Sequence, residues 1–61
     1  MEKQLWTVHD VSEYLDLAPI TIYKYVSHRK IPFVKIGSRV RFHKKRIDDW
    51  LDGKEQLPLQ G

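Results

Sequence analysis

Three short runs in this 61-residue chain could do chemistry, and in each the side chains suit hydrogen bonding and charge pairing rather than bond making. The first run is Pro19, Ile20, Thr21, Tyr23, Lys24, Ser27, His28, Arg29 and Lys30. Its hydroxyls could read base edges, its cations hold phosphates, and the aliphatic Ile20 meet a thymine methyl. The second run, Lys35, Ser38, Arg39 and Arg41, is a slim cationic set suited to a minor groove or a phosphate track. The third is Lys44, Lys45 and Arg46, candidates for phosphate contact, and Thr7 joins them as a residue expected at a helix N-terminus. No nucleophile–base set or carboxylate pair is present, so an enzyme is not expected. His9, His28 and His43 lack zinc-ligand spacing and there is no cysteine, so neither metal nor cofactor is expected.

Charge separates these runs from the rest. Residues 17–47 carry nine of the eleven Lys and Arg and no acid, while residues 1–16 and 48–61 each carry one Lys and four acids. The net charge of +3 conceals that division. A segment so one-sided predicts a surface for a polyanion, with double-stranded DNA as the partner. The plainer alternative is a solvated basic face. The start of the chain lacks the apolar run of a signal peptide, and nothing approaches the roughly 20 apolar residues of a membrane span. The expectation is a cytoplasmic protein with no membrane partner.

Four elements must position these side chains. A first helix is predicted over about 8–15, with Thr7 as N-cap, Asp10 at N3, and Trp6 stapled to Val11. Val8, Val11 and Leu15 then face a core. Asp16, Leu17 and Ala18 form a tight connection. Pro19 opens a second helix, where its missing N–H costs nothing, and that helix runs to about His28 with Ile22, Tyr25 and Val26 as its apolar stripe. Two β-rich runs, 33–36 and 39–42, flank Gly37-Ser38 and predict a two-residue hairpin. Simple alternation places Val34, Ile36, Val40 and Phe42 inward and Lys35, Arg39 and Arg41 outward. A last helix over about 44–52 presents Ile47, Trp50 and Leu51, and Gly53 is expected to stop it. Cations at the start of this helix oppose its dipole at a cost of roughly 0.3–1 kcal/mol each, which makes sense if a phosphate sits opposite them. The fold class is therefore α+β, a small winged helix-turn-helix over residues 1–53, with 54–61 as a flexible tail. Tyr23 is the aromatic expected to face DNA; Phe42, Trp50 and Tyr25 are expected in the core.

In order along the chain, residues 6–15, the run Ile20 to Val26, Lys30-Ile31-Pro32, residues 34–37 and 39–42, and Ile47 to Leu51 resemble the linked motifs of the excisionase-type helix-turn-helix family. That family is related to the winged DNA-binding domain of MerR regulators. The resemblance spans about residues 5–52. It implies a small, non-catalytic factor that binds repeated sites, bends DNA and helps a recombinase excise a mobile element. It assigns recognition to Thr21, Tyr23 and Lys24 and the wing contacts to Lys35, Arg39 and Arg41. The chain departs from the pattern at Ala18-Pro19, where a Ser cap and a polar residue are usual. It departs again at Lys45-Arg46, where acids are usual, and at Arg29, where a small or acidic residue is frequent. These departures bear on the target sequence.

Three functions follow as expectations. The leading one is an architectural DNA-binding factor of excisionase type, with the tail 54–61 contacting a recombinase (an integrase). The second is a small transcription regulator on the same fold. The third is a protein adaptor that docks through Leu57 and Leu59. Without a coiled coil, a monomer that assembles side by side on DNA is expected.

Overall fold

The computed structural model describes residues 5–55. The element order is α1 (Val8–Leu15), α2 (Pro19–Ser27), β1 (Val34–Ile36), β2 (Arg39–Arg41) and α3 (Lys44–Lys54). This is the expected α+β arrangement of helix, turn, helix, wing and closing helix.

Local chemistry fixes α1 at both ends. The Thr7 side chain accepts from the Asp10 amide at 3.2 Å, and the Asp10 carboxylate accepts from the Thr7 amide at 2.9 Å. This reciprocal capping box satisfies two of the helix's otherwise unpaired donors. At the other end Asp16 turns left-handed at φ 57. The amide of Leu17 then donates to the Ser12 carbonyl at 3.0 Å and that of Asp16 to Glu13 at 3.3 Å. These are the paired bonds of a Schellman stop. The buried Ser12 hydroxyl donates to the Leu17 carbonyl and ties the connection down. Pro19 follows as the first residue of α2, and Ala18 caps it without any side-chain bond.

Every element contributes to one core. Val8 and Val11 come from α1, Ile22 from α2 and Ile47 from α3, while Ile31 and Phe42 flank the hairpin; all six are buried. Trp6, Leu15, Tyr25, Val26, Phe33, Val40 and Trp50 pack around them, half-exposed. Phe42 is also a backbone junction. Its amide donates to the Trp6 carbonyl at 2.9 Å and its carbonyl accepts from the Trp6 amide at 2.7 Å. The segment before α1 is thereby paired alongside β2. Trp6 meets Tyr14 edge to face at 5.0 Å, a geometry favoured by aromatic quadrupoles.

The wing has the expected two-residue turn but not the expected faces. Ile36 pairs with Arg39, Lys35 with Val40 and Val34 with Arg41. Directly paired residues share a face. Val34, Ile36, Arg39 and Arg41 therefore lie on one side, and Phe33, Lys35, Val40 and Phe42 on the other. Alternation read along each strand separately had put Ile36 inward, yet it is 55% exposed. The turn length sets the parity, and a two-residue turn makes the two strands' hydrophobic positions fall out of phase. Gly37, at φ 62, supplies the positive dihedral such a turn asks of its first position.

The closing helix also differs from expectation. Gly53 does not stop it; α3 continues to Lys54, and its C-cap is Glu55. The Lys54 ammonium lies 5.5 Å from the centre of the Trp50 ring one turn earlier, a cation–π contact that favours the extra turn. The Trp50 indole N–H donates to the Lys30 carbonyl at 2.8 Å, tying α3 to the segment after α2. Lys54 of the expected tail is thus helical, and residues 56–61 lie outside the described residues.

Candidate nucleic-acid interface

The exposed face of α2 carries the residues expected on it. Pro19, Ile20, Tyr23, Lys24 and Ser27 are exposed and Thr21 is half-buried. Among the described residues, Ile20, at 74%, is the most exposed of the large hydrophobic side chains that face solvent. The first turn of α2 thus presents Ala18, Pro19 and Ile20, with no side-chain hydrogen bond at its cap. Thr21, Tyr23, Lys24 and Ser27 supply the polar groups that α2 presents on this face, and no arginine lies within the helix.

Three residues of the first run lie beyond this helix. His28 is the C-cap, and Arg29 and Lys30 belong to the turn that follows. Arg29 is left-handed at φ 55. Its amide donates to Val26 at 3.0 Å and that of Lys30 to Tyr25 at 2.8 Å, a second Schellman stop. That position usually holds glycine, because an L side chain in this region costs about 1–2 kcal/mol. Part of that cost is returned when glycine would loosen the unfolded chain. Arg29→Gly is therefore expected to raise stability by up to about 1 kcal/mol and the melting temperature by roughly 4–8 °C. Duplex affinity should fall at the same time, with the salt slope shallower by about one phosphate. Paired calorimetric and binding measurements check this; a variant that gains neither stability nor a shallower slope would contradict it.

The wing and α2 meet across one open groove of about 350 Å³, lined by Thr7, His9, Tyr23, Ser38, Arg39 and Arg41 among others. A second groove, of about 330 Å³, places Lys35 with Ser27 and Arg29 at the end of α2. Residues from α1, α2 and β2 thus line the first groove, and the second joins β1 to the end of α2. His9 in the first groove and the exposed Ile36 of β1 were not legible where the structure places them. His9 offered no role in the sequence, yet the capping box sets the first turn of α1 beside Tyr23 and the wing. Ile36 was counted as core. The first could have been found only from the packing of α1 on the hairpin, and the second from the pairing parity of the turn.

The third run is divided. The Lys44 ammonium pairs with Asp48 at 2.7 Å, one turn on, and lies 5.3 Å from the centre of the Tyr14 ring. The Tyr14 hydroxyl donates to the same carboxylate. Hydrogen bonding to Lys44, and then to Tyr14, holds the Asp48 carboxyl below the usual carboxylate range. The bond to Asp48 in turn pushes both Lys44 and Tyr14 up. The Asp48 contribution to stability is therefore present above the ordinary carboxylate range and lost as pH falls through it. Those of Lys44 and Tyr14 are present at neutral pH and lost only in strong alkali. Lys44 joins α3 to α1 and is not a free cation. Lys45 and Arg46 remain exposed, and Arg46 lines a shallow groove with His43, Pro32, Phe33 and Val34. The α3 N-terminus has neither a side-chain cap nor an acid in its first turn.

Among the described residues, no group of three or more His, Cys, Asp or Glu comes together, and no helix is long and apolar enough to cross a membrane.

Two helices joined by a three-residue turn, followed by a basic hairpin and a closing helix, define a winged helix-turn-helix. The chain belongs to the helix-turn-helix domain family, whose pattern it matches over residues 7–55. Two relatives from Mycobacterium tuberculosis, one from strain CDC 1551 / Oshkosh and one from strain ATCC 25618 / H37Rv, are each 33% identical to it over 49 residues. Both are provisionally named DNA-binding proteins. The match covers 80% of this chain but only 63% of each relative, so the chain spans less than two thirds of their length. No solved structure matches it.

Proposed function

We propose that this chain binds double-stranded DNA with α2 in the major groove and the wing on the adjacent backbone or minor groove. The observation that carries this reading is the shared groove in which Tyr23 of α2 meets Ser38, Arg39 and Arg41 of the wing. Its α2 and wing residues belong to the segment 17–47, which holds nine cations and no acids. The names of the two relatives agree with it. Within this reading, the chain is an excisionase-type architectural factor that acts beside a site-specific recombinase in the cytoplasm. The family resemblance of the linked motifs supports that finer role.

The test is a footprint of the purified chain on the end sequences of the element that encodes it, with matched promoter DNA as the comparison. Side-by-side protection of direct repeats beside an attachment site is the expected result. Protection of a single site over a promoter would instead identify a transcription regulator on the same fold. Variants sort the contacts. Arg41→Ala should weaken binding to all duplexes alike, whereas Thr21→Ala or Tyr23→Ala should blur sequence preference. The reverse pattern would exchange the roles of helix and wing.

A further inference from the structure

We propose that the tip of the wing is an apolar wedge, with Ile36 at its point, that enters the minor groove and bends the duplex. The inference rests on the duplex binding proposed above and goes beyond it, because backbone contact alone requires no wedge.

The hydrophobic pattern is inverted at the tip. A hairpin built only to hold itself would turn Ile36 toward the core and Lys35 toward water. The pairing turns Ile36 away from the core-packed face, and both side chains are exposed. Lys35 shares the face of Val40 and Phe42, while Ile36 stands 55% exposed directly opposite Arg39. Arg41 lies on that same face, opposite Val34. An aliphatic side chain is thus displayed among guanidinium-bearing positions beside the hairpin turn. The turn beyond it adds no bulk: Gly37 has no side chain, and open space surrounds the place where a Cβ would sit.

Charge and dimensions choose the occupant. The neighbouring arginines exclude an apolar protein groove as the natural partner and favour a surface rich in phosphates, where Arg is drawn to narrow minor grooves. The two strands of a hairpin lie roughly 4.8 Å apart before side chains are added, against a minor groove about 6 Å wide. A ribbon carrying Ile36 and Arg39 side by side enters only if the groove opens. Proteins that open it with Ile, Leu, Phe or Pro partly unstack a base step and kink the duplex by roughly 20–90° toward the major groove. The arginines then hold the widened backbone while Ile36 covers the exposed base faces.

The experiment uses the whole chain and duplexes of about 30 base pairs that it selects from a randomised pool. End-to-end energy transfer reads the bend, and permanganate reactivity reads unstacked thymines. Ile36→Thr keeps the branched shape and strand preference but removes the apolar point; Ile36→Leu keeps the apolar point. Wild type and Ile36→Leu should bend the duplex by tens of degrees and raise thymine reactivity at one step. Ile36→Thr should lose more than half the bend and the reactivity, with its salt slope and its thermal melt unchanged. A straight duplex under wild type, or an equal bend under Ile36→Thr, overturns the wedge. Loss of self-association by Ile36→Thr with the bend intact would assign Ile36 to contact between copies and overturns it too. If no duplex is retained even at low salt, the DNA-binding reading falls first, and that outcome is distinct from a bound but straight duplex.

Discussion

Phe42→Ala will leave the chain unfolded at room temperature. Phe42 is fully buried at the centre of the core, and its backbone is held on both sides by Trp6. Truncating a buried phenylalanine costs about 3–5 kcal/mol, the loss of transfer free energy together with the cavity left behind. The single core of a domain this small rarely supplies more than about 3–5 kcal/mol in all, so the loss matches the whole. The cavity would open where α1, α2, α3 and the wing converge, so no neighbour can collapse into it without moving another element. There is no disulfide to hold a partly folded form, since the chain has no cysteine. Far-UV circular dichroism and amide dispersion should show an unfolded chain. The exposed-site variant Tyr23→Ala should melt like wild type. A cooperative melt for Phe42→Ala within about 5 °C of wild type would contradict this account.

The parts of the fold that depend on nearest neighbours were legible in the sequence. Thr7 and Pro19 mark helix starts because their backbone preferences act within one turn. Ile22, Ile47 and Phe42 were recognisable as core from spacing alone. What escaped depends on pairing at a distance or on a residue standing in for its usual substitute. The bridge between Trp6 and Phe42, and the bond from Trp50 to the Lys30 carbonyl, join segments far apart in the chain. Arg29 takes a dihedral normally signalled by glycine, so nothing in its identity marks the end of α2. Gly53 gives the reverse case. It reads as a stop, yet α3 runs on to Lys54, whose contact with Trp50 favours the extension. The site was legible as a set of cations and hydroxyls, but its grouping was not. Lys44 belongs to Asp48 and Tyr14, while His9 joins the groove between the wing and α2.

Affinity for a duplex will fall about a thousandfold between 50 and 200 mM salt. Nine cations lie in residues 17–47, and Lys44 is engaged by Asp48. If five or six of the rest meet phosphates, counterion release gives a slope of log K against log salt of about −5. The individual terms differ. Arg39→Ala should make the slope shallower by about one unit, whereas Lys44→Ala should leave it unchanged because that ammonium holds α3 to α1. Fluorescence anisotropy on a random-sequence duplex, read across the salt range, separates these cases. A wild-type slope near zero would remove the electrostatic basis of the proposed function. A slope lost with Lys44 rather than Arg39 would mean that the ion pair opens on binding.

The two-residue turn of the wing has a consequence for how sequences derived from this one can diverge. Substitutions along β1 and β2 change one side chain at a time, but inserting or deleting a single residue at Gly37-Ser38 would alter which residues are paired across the hairpin. Arg39 and Arg41 would then exchange sides with Val40 relative to β1, or the turn would have to absorb the extra residue as a bulge. Tolerated indels should therefore fall after α3, since the segment between α2 and β1 is held by Ile31 in the core and by the Trp50 bond to Lys30. Descendants that keep the function should preserve the length of this hairpin more strictly than its spelling.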